Sequence, residues 1–184
     1  MIIGIAGAGG IGSNVARHLA QARISHLRVV DFDSVEISNL NRQFYSSDQT
    51  GRSKVVCLKE NLLGIYPAMA VEAIERRMEQ GDGVKLFSDC GLVVEGFDDK
   101  SAKKNLIEDL AGSKIPIISA SGIAGRDMSG IRVRKIGDCS IVGDFSTDVN
   151  QAALFPPKIA MIAAMMAGIV LELIGSALNE ERFK

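Results

Sequence analysis

IIGIAGAGGIGSNVARHLAQARISHLRVVDFD, residues 2–33, decides the fold. It opens on a short apolar run, residues 2–6, that ends in glycines, as a buried parallel strand does. Between residues 10 and 22 the apolar positions Ile11, Val15 and Leu19 recur at four-residue spacing, the period of a helix. HLRVVDF, residues 26–32, is strand-like again, so the stretch is a β-α-β unit with G-A-G-G-I-G at its first turn. The glycines there, Gly7, Gly9, Gly10 and Gly12, let backbone N–H groups approach a phosphate at a helix N-terminus. Asp31 falls 19 residues after Gly12, at the end of the second strand, where an acid accepts hydrogen bonds from ribose hydroxyls. Asp33 is a second acid, for the ribose or for capping the next loop. To this point NAD and ATP are served equally.

The rest of the chain extends the pattern. Residues 53–65, 78–87 and 100–111 read as helices, and residues 69–74, 91–96 and 116–121 as strands. Strands alternating with helices imply an α/β fold, a doubly wound Rossmann-like sheet, mainly parallel, with helices on both faces. After Gly122 the pattern changes. Residues 130–137 alternate Ile131, Val133 and Ile136 with Arg132, Arg134 and Lys135, as a strand with one wet face would, and antiparallel pairing is expected there. Residues 138–157 show no clear period and are expected to form a loop or lid. Residues 159–171 are apolar throughout, between Lys158 and Glu172, and fall short of the roughly 20 residues that cross a bilayer. They read as a buried helix running to about Ala177, covered by the sheet on one side and by a second subunit on the other. No repeat or linker interrupts residues 1–184, which are expected to form one domain.

Hydrophobic residues make up 47% and charged ones 23% of the chain, with a net charge of −1, which suits a soluble globular protein with no bias toward polyanions. Nucleic acid and membrane are not expected partners, and a cytoplasmic location is expected. Cys57, Cys90 and Cys139 stand far apart without a C-x-x-C, so neither a disulfide framework nor a zinc site is expected. The N-terminus has no basic residues before its apolar run and reads as a strand, not a signal peptide. His18 and His26 are assigned to packing or surface.

VVDFDSVEISNLNRQF, residues 29–44, breaks the tie between nucleotides. Asn39, Asn41, Arg42 and Gln43 follow Asp31 at short range, and Lys54 comes next in GRSKV, so cationic and amide donors gather around one pocket. That set suits a triphosphate; the plainer alternative is a capped surface helix and a solvated lysine. Asp98 and Asp99 follow the fourth strand, at the carboxyl edge where ligands of open parallel sheets sit. An acid beside a triphosphate there can hold Mg²⁺, which prefers carboxylate plus phosphate oxygens, and capping of the following helix is compatible with that role.

Taken together, G-A-G-G-I-G, D-F-D-S-V-E-I-S-N-L-N-R-Q, G-R-S-K, E-G-F-D-D, S-A-S-G-I-A-G and P-P-K-I-A-M-I-A-A resemble the ThiF/MoeB/HesA adenylyltransferases, relatives of the ubiquitin-activating enzymes. The likeness covers nearly the whole chain and is strongest to the short, family-two ThiF proteins of thiamine biosynthesis. It implies ATP-dependent adenylation of the C-terminal glycine of a small ubiquitin-like sulfur carrier ending in Gly-Gly, with Mg²⁺ and with pyrophosphate released. It implies that Gly7, Gly9 and Gly12 line the phosphate turn and that Asp31 holds the ribose. Asn39, Arg42 and Lys54 would bind the triphosphate, with Gln43 in support, and Asp98 would stand by Mg²⁺ and the reacting carboxylate. A homodimer is the oligomer it implies.

The chemistry accounts for the lack of a Ser/His/Asp machine. A glycine carboxylate, with a pKa of about 3.5, is already ionised near neutral pH and needs charge neutralisation and alignment rather than a general base. Family members usually carry a helical segment ahead of the first strand that lends an arginine to the partner's ATP; here Arg17 and Arg126 are the arginines weighed in its place. Longer relatives have a cysteine ahead of the closing helix. That place falls near Asp148, and Cys139, the nearest thiol, is weighed for sulfur transfer against an idle cysteine. Two other readings stay open: a non-catalytic docking module for a ubiquitin-like protein, and an NAD-dependent oxidoreductase.

Overall fold

A computed structural model describes the backbone of residues 1–182 and the side chains as far as Gly175. The elements run β1 (Ile2–Ala6), α1 (Gly10–Gln21), β2 (His26–Asp31), α2 (Lys54–Ile65), β3 (Ala70–Glu75), α3 (Asp82–Phe87), β4 (Cys90–Glu95), α4 (Lys100–Leu110), β5 (Ile117–Ala120), β6 (Arg132–Ile136), β7 (Cys139–Gly143) and α5 (Pro156–Arg182). The strands form one seven-stranded sheet in the order β3-β2-β1-β4-β5-β7-β6. Every neighbouring pair is parallel except β6 and β7. The chain winds outward from β1 in one direction to β3 and in the other through β4. The carboxyl ends of β1 and β4 therefore flank the switch point where open sheets of this kind bind ligands.

Strand alternation sends residues to two cores. Ile3, Ile5, Leu27, Val29, Leu92 and Val94 face α1, α2 and α5. Val30 and Val93 face α3 and α4, with Phe87, Leu106 and Leu110. On that second face Gly4 leaves room for the Phe87 ring, since a Cβ there would lie 2.6 Å from Phe87 Cδ1. Filling both faces is what makes the inner strands read as unbroken apolar runs.

Three expectations are corrected. The segment expected as a loop or lid contains β7, which pairs parallel to β5 in register Ile117 with Cys139 through Ala120 with Val142. Its five residues, Cys139–Gly143, are too short a run for a period to show. β6 pairs antiparallel as expected, but all five of its residues are exposed instead of one face being covered. The closing helix is longer than expected, and its first 20 residues, Pro156–Gly175, are long and apolar enough to cross a membrane. Here it is a core helix: Ile159, Ile162, Ala163, Met166, Ala167 and Val170 are buried in the first core.

Candidate active site

The glycine turn is built by close packing as much as by ligand approach. Gly7 sits at φ +93°, and a Cβ on Gly12 would lie 1.8 Å from the Gly7 carbonyl oxygen. Gly12 thus lets the helix seat against the strand, and it does not line the cavity, contrary to the role expected of it. Gly9 has no neighbour nearer than 3.9 Å to such a Cβ, so its reason for being glycine is access to the cavity. The turn is held by β2: Asp31 Oδ2 accepts the Ala8 amide at 2.6 Å and Asp31 Oδ1 accepts the Asp33 amide at 2.8 Å. Burial pushes the Asp31 carboxyl above the ordinary aspartate range, against the pull of those two amides and of Lys54. Tyr45 donates its hydroxyl to the Ala8 carbonyl at 2.8 Å and pins the turn from the other side.

The segment after β2 is anchored to α1. Buried Asn14 donates from Nδ2 to the carbonyls of Gly10 and Arg42, at 2.7 and 2.8 Å, and Ser13 Oγ accepts the Phe44 amide at 3.1 Å. These bonds place Arg42 beside Gly10. Its guanidinium donates to the Ser38 carbonyl and Asn41 Oδ1, both at 2.9 Å. Lys54, buried at the start of α2, puts Nζ 2.8 Å from Asp33 Oδ2.

All of this borders one cavity of about 650 Å³ on the carboxyl edge of the sheet. Its lining includes Gly7, Gly9, Gly10, Asp31, Asp33, Arg42, Gln43, Lys54 and Asp98, nine of the eleven expected site residues. Asn39 is the second that stays out: among the described residues its side-chain amide meets only Ser38 Oγ, at 3.3 Å. Asp99 caps α4, accepting the Ala102 amide at 2.7 Å. The exposed Asp98 carboxylate makes no hydrogen bond or ion pair among the described residues, and it is left facing the cavity. No cluster of three or more His, Cys, Asp or Glu side chains suited to a metal occurs among the described residues.

Several functional-looking residues escaped the sequence reading. Glu95, at the end of β4, is fully buried: Oε1 accepts the Phe97 amide at 2.8 Å, while Oε2 takes Ser119 Oγ at 2.6 Å and Lys103 Nζ at 2.7 Å. Arg77 lies over the exposed Phe32 ring at 3.8 Å, a cation–π contact at the β2/β3 end of the cavity. Lys100 reaches Asp148 at 3.2 Å across the opposite end. Lys100 follows the Asp98-Asp99 pair directly and Lys103 comes one helical turn later, a signal the sequence did contain.

Other expectations do not converge here. Arg17 and Arg126 lie against Phe44 and Phe155, and neither lines the cavity. Cys139 begins β7 at the sheet's amino edge, opposite the cavity, and burial pushes its thiol above the ordinary range. That is the wrong direction for a nucleophilic thiolate. His26 pairs with Glu72 at 2.6 Å, also at the amino edge.

The ThiF family description matches residues 1–184. The chain belongs to the ThiF family. It is 26% identical over 170 residues to the molybdopterin-synthase adenylyltransferase of Escherichia coli, covering 89% of this chain and 68% of that protein. It is 30% identical to the probable adenylyltransferase/sulfurtransferase MoeZ of Mycobacterium tuberculosis, covering 92% of this chain but 42% of that one. Among solved structures, the E. coli tRNA N6-threonylcarbamoyladenosine dehydratase with AMP superposes with a TM-score of 0.85, at 22% identity over 96% of this chain and 87% of that one. At that identity the likeness carries the fold alone; a second structure of the same dehydratase is a complex with ATP.

Proposed function

We propose that this chain activates the C-terminal glycine carboxylate of a small ubiquitin-like sulfur carrier as its acyl-adenylate, in the pathway that supplies sulfur to the thiamine thiazole. One observation carries the reading: a single cavity joins the glycine turn, Asp31, Arg42 and Lys54 to Asp98 along the carboxyl edge of the sheet. In this reading Asp31 accepts from the ribose, and Gly9 and Gly10 present amides to the phosphates. Arg42 and Lys54 offset the triphosphate charge. A carrier carboxylate oxygen attacks the α-phosphorus, the bond to the β-phosphate oxygen breaks, and pyrophosphate leaves with that electron pair. No proton moves, because the carboxylate arrives ionised. The cavity's cations bring anion to anion and stabilise the charge on the leaving pyrophosphate.

Asp98 is the residue that fits Mg²⁺. One carboxylate without a protein partner, facing a phosphate site, is the donor set this ion takes beside a nucleotide, whereas a closed protein cage is not. When bound, the ion would neutralise phosphate charge. The chain's own residues orient the two reactants. Intact-mass measurement of a Gly-Gly carrier incubated with the protein and Mg-ATP tests the reading: a gain of one adenylyl group supports it. A carrier that binds and stays unmodified favours a docking module, and unfolding protection by NAD alone favours the oxidoreductase.

A further inference from the structure

Lys158, in the first turn of α5, is fully buried and paired with a carboxylate. Its Nζ donates to the Ala124 carbonyl at 2.5 Å and to Asp144 Oδ2 at 2.6 Å. Asp144 is saturated in turn. Its Oδ1 accepts the amides of Ser146 and Thr147 at 2.8 and 2.9 Å, and its Oδ2 accepts the Thr147 hydroxyl at 2.9 Å. One buried cation therefore ties three segments: the crossing after β5, the turn after β7, and the start of α5.

The tie fixes backbone that would not choose this shape alone. Gly122 sits at φ +72°, where a Cβ would lie 2.0 Å from Asp144 Oδ1, so the glycine of S-A-S-G-I-A-G is required by Asp144. Phe145, which is not glycine, is held at φ +66°. The bridge between Ala124 and Leu154 closes the same unit.

The other side of these segments faces the cavity, through Ser121, Gly122, Ile123, Thr147, Asp148 and Val149. Along the sheet order the cavity passes from β3 and β2, through the glycine turn at β1 and Asp98 after β4, to β5 and β7. A ribose on Asp31 and phosphates at the turn leave the β5/β7 end for the second reactant. Lys158 is not in the lining.

We propose that Lys158, paired with Asp144, is the positioning residue of the acyl-substrate end of the cavity, setting affinity for a Gly-Gly tail without altering the nucleotide end. The inference rests on the adenylation reading. A buried charge stripped of its partner is costly, so Lys158→Met leaves an uncompensated Asp144 that reorganises the turn it holds.

The test uses the full chain, α,β-methylene-ATP, and a fluorescent decapeptide ending in Gly-Gly with a free carboxylate. Lys158→Met weakens peptide binding about tenfold and changes analogue binding by less than about twofold. The double variant Lys158→Met/Asp144→Asn, which removes both charges, recovers most of the peptide affinity. If Lys158→Met fails to fold, Ser146→Ala, which removes one hydroxyl donor to Asp144 outside the cavity lining, gives a smaller loss of the same selectivity. Equal weakening of both ligands, or a wild type that binds analogue and not peptide, overturns the proposal. A wild type that binds no analogue overturns the adenylation reading and the proposal with it.

Discussion

Asp31 accepts the Ala8 amide on one carboxylate oxygen and the Asp33 amide on the other, so the acid proposed to hold a ribose is also the strut of the glycine turn. Both bonds are built before any nucleotide arrives. Replacing Asp31 by alanine therefore costs stability as well as affinity. Leaving two largely enclosed N–H groups without an acceptor is expected to cost about 2–4 kcal/mol. Urea unfolding in the absence of nucleotide measures it, and an unchanged midpoint would show that the strut contributes nothing.

Two glycines of the turn, Gly12 and Gly9, separate packing from ligand access. Gly12→Ala drives a methyl into the Gly7 carbonyl and is expected to destabilise the fold by about 3 kcal/mol or more. Gly9→Ala meets nothing nearer than 3.9 Å and leaves unfolding little changed, while weakening ATP. Thermal unfolding with and without Mg-ATP distinguishes the pair.

Arg42 and Asn39 make a second contrast. Among the described residues the Arg42 head bonds only its own turn, at Ser38 and Asn41, so Arg42→Ala keeps the fold and weakens Mg-ATP about ten- to a hundredfold, the range of one charge-assisted contact. Asn39→Ala, outside the cavity, leaves the titration unchanged. Calorimetric titration at two salt concentrations tests both, with a shallower salt dependence for the arginine variant.

Lys158 and the amides of Ser146 and Thr147 hold the Asp144 carboxyl well below the ordinary aspartate range, despite its burial. The unfolded chain therefore takes up the proton first as pH falls. The stability Asp144 contributes is complete above about pH 5 and declines as pH drops below about 4. Asp31, shifted upward, acts with the opposite sign. Unfolding free energy measured from pH 6 to pH 3 falls for the wild type and falls less steeply for Asp144→Asn; parallel curves contradict the assignment.

The fold was legible where one segment carries its own signal. The glycine turn, the helix period from Ile11 to Leu19 and the continuous apolar strands are local, and they returned β1-α1-β2 and the position of the cavity. Asp98 and Asp99 were legible as a pair, and capping then divided their roles. What was not legible depends on partners distant in the chain. Glu95 reads as a strand residue until Lys103 and Ser119 are folded against it. Lys158 reads as the polar boundary of an apolar helix until Asp144, in the turn after a strand too short to show a period, meets it in the interior. Asn39 and Arg42 share one turn, but Arg42 lines the cavity and Asn39 does not, a difference that spacing along the chain does not carry.

The closing helix supports one prediction about assembly. Met161 and Leu171 remain 43% and 37% exposed on its outer side, with Ala164 between them, an apolar stripe on a helix whose inner side is core. A second copy of the chain is proposed to cover it. Sedimentation equilibrium should give a dimer, and Met161→Glu with Leu171→Glu should give a monomer; a wild-type monomer at high concentration contradicts the pairing.

The most direct measurement is exchange of labelled pyrophosphate into ATP, with and without a Gly-Gly carrier, for the wild type and for Asp98→Ala. The account predicts exchange that requires the carrier and Mg²⁺ and that is lost in the variant, since reversal of acyl-adenylate formation is the only route by which label enters ATP. Exchange that persists in Asp98→Ala, or that proceeds without a carrier, would contradict it.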